Sequence, residues 1–183
     1  MIKDSAHNYG IVSILLHWLS AVILIFLFAL GIYMTGLSYY DEWYHKGPAL
    51  HISLGILLFF ATLLRLFWRK TNTTPQDLSP VKAANLAAKL IKIFLYILIF
   101  IVAITGYLIT TAEGQDADVF GWFGVPASIE LEANRVDLAG EIHEYAAWLI
   151  IIIATLHAGA ALLHHFVFKD KTLKRMIFPN VKP

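Results

Sequence analysis

The 183-residue sequence contains no cysteine. That excludes disulfides, thiolate-held iron–sulfur clusters and the C-x-x-C-H attachment of a covalently bound haem. Charged residues are also scarce, at 15% against 58% hydrophobic ones. A soluble domain of this size cannot bury so much apolar surface. Asp and Glu are missing altogether from four apolar runs, at 11–34, 48–67, 93–109 and 146–168. A proton or ion transporter is expected to keep acids at mid-membrane. A carboxylate-bridged di-iron bundle needs inward-facing glutamates. Neither pattern is present.

What is present is length. The four runs span 17 to 24 residues, which suits helices crossing a hydrocarbon core of ~30 Å. The first run exceeds the ~7–15 residues of a signal-peptide core and is expected to remain as a span. The predicted fold is all-α: one integral membrane four-helix bundle over residues 1–183, with helices at about 11–34, 48–67, 92–110 and 141–168. Pro48 suits the opening turn of the second helix. Residues 69–90 read as a polar connection, and DVFGWFGVPASI in the third connection is apolar enough to lie in the membrane interface.

Charge is lopsided although its net value is only +1. Twelve of the fourteen Lys and Arg lie in the N-terminal lead, at 65–92 or in the C-terminal tail. The first and third connections hold ten of the thirteen acids, with Lys46 and Arg135 as their only cations. The positive-inside rule then predicts both termini and the second connection in the cytoplasm. This describes a multi-pass protein of a bacterial inner membrane, with the lipid bilayer as its surroundings. No nucleic-acid partner is expected.

Four histidines carry the chemistry. His143 and His157 are fourteen residues apart, so on a helix they project from nearly the same face, ~21 Å apart along the axis. His51 and His143 each open a helix at the outer side. His17 and His157 can meet in the inner half, because their helices run in opposite directions. Two trans-helix imidazole pairs are what two six-coordinate haems require. Without cysteine, such haems must be b-type, held by ligation and packing alone. A histidine-only zinc site would want three or four ligands at one depth. Gly55, one turn after His51, lets a flat ring approach. Arg65, fourteen residues after His51, shares that face and needs an anion, which a haem propionate would supply.

These residues resemble the bacterial cytochrome b561 family of four-helix dihaem membrane proteins. The resemblance runs through HWLSA at His17, YHKGPALHISLGILL through His51, Arg65 with the following WR, GYLITTA, VFGWFGVPA, IHEYAAW at His143 and LHAGAALLHHFVFKDKTLKRM. It implies bis-histidine haem b at His17/His157 and at His51/His143. It also implies electron transfer between the outer aqueous side and the ubiquinone pool, with superoxide as the donor in some members. A small-molecule donor or a periplasmic protein donor are both compatible with the sequence, as is a homodimer. For the quinone headgroup, His164 and Lys82 are the candidate polar partners. The alternative reading is a haem b membrane-anchor subunit of a dehydrogenase or hydrogenase-type complex.

Overall fold

The computed structural model describes residues 1–181. Four long helices carry the apolar runs: α1 (Ile11–Thr35), α2 (Trp43–Thr71), α3 (Lys82–Thr110) and α4 (Ala133–Phe166). A two-stranded hairpin, β1 (Ala117–Val119) and β2 (Phe123–Val125), lies between α3 and α4, and a single turn, α5 (Thr172–Arg175), follows. The class is all-α, and each long helix is long and apolar enough to cross a membrane. Lipid offers no hydrogen bonds, so a spanning backbone must satisfy its own amides, which a helix does. Buried hydroxyls follow the same rule. Ser20, Ser53 and Thr105 each donate to the carbonyl four residues earlier, Leu16, Ala49 and Ile101, at 2.6, 2.8 and 2.7 Å. Leu15, Val22, Leu156 and Leu163 are exposed, as suits side chains whose solvent is lipid.

The helices outrun the apolar segments. α2 begins at Trp43 rather than 48, α3 at Lys82 rather than 92 and α4 at Ala133 rather than 141. Hydropathy marks only the length that lipid covers, whereas the start of α3, KAANLAAKL, consists largely of strong helix formers. Residues 82–90 are therefore helix and not connection. Pro48 lies inside α2, not in its opening turn, and removes one backbone donor there.

The chain folds into two compact units. The tail-bearing unit comprises residues 1–21, 61–96 and those from 152 onward. Its polar lead is pinned to α1 by the Asp4 carboxylate, which accepts from Gly10 N–H at 2.6 Å and Ser13 Oγ at 2.7 Å. A Cβ on Gly10 would sit 2.2 Å from the Ile2 carbonyl oxygen, so only glycine allows this return of the chain. Gln76 N–H donates to the Ala6 carbonyl at 2.9 Å, Arg175 Nη1 to the Gln76 carbonyl at 3.0 Å and Trp18 Nε1 to the Met176 carbonyl at 2.6 Å. Trp18 thus ties the tail to α1.

The hairpin-bearing unit comprises residues 22–60 and 97–151. Its strands pair antiparallel, with Val119 opposite Phe123, through a turn whose Phe120 and Gly121 have φ of +54° and +69°. Ala117 and Val119 are fully buried. Ser53 fixes the hairpin to α2: its Oγ accepts from Phe120 N–H at 3.0 Å and lies 3.3 Å from the Asp118 carbonyl. The Tyr107 hydroxyl donates to the Pro126 carbonyl at 2.7 Å and accepts from Ser128 N–H at 2.9 Å.

Candidate functional site

In the hairpin-bearing unit, His51 of α2 and His143 of α4 face each other. Their ring centres are 6.1 Å apart and their planes are inclined by 58°. Metal–imidazole bonds of ~2.1 Å, with ring nitrogens ~1.1 Å from the ring centre, put two trans imidazoles on one metal ~6.4 Å apart. The observed pair has that spacing. Glycines bring the rings in. A Cβ on Gly31 of α1 would lie 3.6 Å from His51 Cε1, and one on Gly106 of α3 would lie 3.1 Å from His143 Cε1.

Hydrogen bonding selects the ligating tautomer at His143. The Thr105 hydroxyl gives its proton to the Ile101 carbonyl at 2.7 Å, so its oxygen accepts from His143 Nδ1–H at 3.2 Å. Nε2 is left with its lone pair, the state a metal needs. At His51, Nδ1 is buried without a hydrogen-bond partner. Its ring is thus not committed to another polar side chain and is free to bind a further group. Gly55 has no atom within 4 Å of an added Cβ, leaving room beside His51 for a flat ring. These residues fit a haem.

In the tail-bearing unit, His17 of α1 receives a hydrogen bond from Arg65 of α2, with Nη2 2.8 Å from Nδ1. The guanidinium carbon also lies 5.3 Å from the centre of the Tyr96 ring. His157 of α4 belongs to the same unit, and its charged neighbours include Arg65 and Lys92. Among the described residues no three of His, Cys, Asp and Glu gather in a metal-binding group. The His51–His143 imidazoles come as a facing pair, as porphyrin-bound iron requires and a protein-only metal site does not.

His164, near the end of α4, pairs through Nδ1 with Asp170 Oδ2, while Asp170 Oδ1 accepts from Thr172 N–H at 2.8 Å. Burial alone would raise the Asp170 carboxyl pKa. The bonds from Thr172 and His164 outweigh it and hold the group below its ordinary value. Lys82 is exposed at the first residue of α3, and the described contacts do not join it to His164. Sequence reasoning missed Thr105, Gly31 and Asp170. A threonine directly before Gly106 on an inward helix face was the available signal for the first. Asp170 read only as one charge in a basic tail.

A model of the prokaryotic cytochrome b561 family matches residues 8–179. The chain belongs to that family. It is 45% identical over 177 residues to cytochrome b561 homolog 2 of Escherichia coli K12, covering 95% of this chain and 93% of that protein. It is 30% identical to cytochrome b562 of Cereibacter sphaeroides, over 94% of this chain and 97% of the relative. It is 27% identical to a protein of Yersinia pestis named probable superoxide oxidase CybB, over 93% and 96%. Membership brings b-type haem binding and electron transport. Together with the four spanning helices it makes the chain a multi-pass protein of the bacterial inner membrane.

Proposed function

We propose that this cytochrome holds two haems, one on His51 and His143 and one on His17 and His157, and carries electrons across the membrane to ubiquinone. The observation that supports this most is the 6.1 Å spacing of the His51 and His143 rings, together with the fourteen-residue repeat from His143 to His157 on one helix. Both termini lie in the cytoplasm, which makes the His51–His143 end the periplasmic one. Bound haem supplies reversible one-electron cycling of iron. The chain would supply imidazole nitrogens, orientation and exclusion of water.

At the periplasmic end a one-electron donor delivers its electron. We take superoxide as that donor on the name of the Yersinia relative, with release of dioxygen. The acidic first and third connections do not steer an anion, so a periplasmic protein donor is the competing choice. At the cytoplasmic end two successive electrons and two protons convert ubiquinone to ubiquinol. His164 presents Nε2 to a quinone carbonyl while Asp170 holds its Nδ1, and Lys82 contributes positive potential. Iron ligation through Nε2 of His17 needs its proton on Nδ1. Arg65 would then donate elsewhere, and a haem propionate would be the anion it holds.

Two measurements test this. Haem quantification of the purified protein is expected to give two per chain, and His143→Ala one, with the remaining haem still reducible. One haem in the unmutated protein ends the dihaem reading. Stopped-flow reduction of a soluble ubiquinone by protein given superoxide is expected to be rapid without any partner. No turnover with superoxide or any small donor instead favours the membrane-anchor role in a dehydrogenase or hydrogenase-type complex.

A further inference from the structure

Between α2 and α3, in the tail-bearing unit, lies a recess of about 200 Å³ lined by Leu66, Arg69, Lys89, Lys92, Ile93 and Tyr96. That is many times the ~10–15 Å³ one water needs, enough for a phosphodiester group. Three of its six lining residues are cations and none is an acid. Lys89 and Lys92 are three residues apart on one helix face, where like charges repel. Among the described residues the ion pairs are Lys46 with Glu42 and His164 with Asp170; Asp77 acts on Lys92 from farther off without forming an ion pair.

The depth of the recess is fixed by sequence. Leu66 and Ile93 belong to the apolar runs of α2 and α3, whereas Arg69 and Lys89 belong to their polar extensions. The recess therefore lies where the hydrocarbon core meets the headgroup layer. Arg69 and Lys89 are exposed, and beside them Phe67, Leu90 and Ile93 present exposed apolar surface. A cationic pocket between two spanning helices, continued by apolar surface, matches a molecule with an anionic head and hydrocarbon tails. Ubiquinone has tails but no charge to neutralise three cations.

We infer that Arg69, Lys89 and Lys92 form a binding site for the phosphate of an anionic phospholipid, with the acyl chains running along Leu66 and Ile93. The inference does not depend on the dihaem reading, since its readout is bound lipid. The test uses the purified holoprotein, extracted from vesicles of equal phosphatidylglycerol and phosphatidylcholine, with retained lipids counted by native mass spectrometry. Phosphatidylglycerol is expected to be retained several-fold over phosphatidylcholine. Lys89→Gln and Lys92→Gln should each lower that preference about fivefold, the usual effect of one interfacial cation. Lys89→Arg should keep it, and the haem content of both Lys89 variants should be unchanged. Equal retention of both lipids, or a preference indifferent to both glutamine variants, overturns the inference. Displacement by millimolar inorganic phosphate would make it a free-phosphate site, and haem loss in the Lys89 variants would make it a propionate site. Either result overturns the lipid assignment.

Discussion

The two units present imidazoles in opposite ways. In the hairpin-bearing unit, His51 and His143 are set by small residues and one hydroxyl: Gly31 and Gly106 admit the rings and Thr105 orients one of them. In the tail-bearing unit, His17 is set by a guanidinium, and Arg69, Lys89 and Lys92 belong to the same unit. One site is positioned by shape and the other by charge. A fixed positive charge stabilises the reduced, less positive iron, so the charged site should have the higher potential and electrons should run towards it. Direction of flow would then be built into residues that are not themselves ligands.

Gly106→Val breaks the shape-set side most severely. A Cβ there already comes within 3.1 Å of His143 Cε1, and the added methyls must push the ring off its position. Loss of one haem is expected, read as half the b-type absorbance per chain, with the second site intact. If both haems survive, glycine does not set the ring. On the charge-set side, Arg65→Met removes the guanidinium beside His17. The potential of that haem is expected to fall by ~50–100 mV in a redox titration, the size of one charge several ångströms away at intermediate dielectric. An unchanged potential would remove the electrical contrast between the two sites. Thr105→Val is isosteric and deletes one hydrogen bond worth ~1 kcal/mol. Haem retention at the His51–His143 site should weaken about fivefold in a competition with apomyoglobin, leaving the other site unaffected.

The contrast also shows what could be read in advance. Helices, their number and the facing of His51 and His143 were legible because apolar length and ionisable residues within it are strong signals. The ends of α3 and α4 were not, since a helix continues into water wherever Ala, Leu and Lys follow, without any change that hydropathy detects. Gly55 could be singled out in advance because it lies one turn along the helix that carries His51. Gly31 and Thr105 were not, because they lie on other helices and matter only once those helices pack. Arg65 was expected on the face of the inner histidines, and it lies 2.8 Å from His17 Nδ1. Spacing gives the face a side chain shares but not the group it meets there. His164 was legible as a polar residue near a helix end, whereas its hold on Asp170 depends on the turn made at Lys169, whose φ is +53°.

That hold gives the smallest of the expected effects and the finest test of the tail-bearing unit. Asp170 is bonded on both oxygens, to His164 and to Thr172 N–H, and its carboxyl is held below its ordinary pKa. A depressed folded-state value means the unfolded chain binds its proton first as pH falls. The carboxylate therefore stabilises the fold fully above ~3.9 and loses that contribution as pH drops through the depressed value. Against Asp170→Asn, the wild-type advantage in thermal stability should be flat between about pH 5 and 8 and should vanish in stronger acid. The asparagine cannot orient His164 with a charge. Ubiquinone reduction should accordingly slow about threefold at every pH in that range, of the order expected from losing one hydrogen bond, with haem content and potentials unchanged. A loss of stability without any loss of rate would make the His164–Asp170 pair a clasp for the tail, and the quinone would then have to meet a different donor.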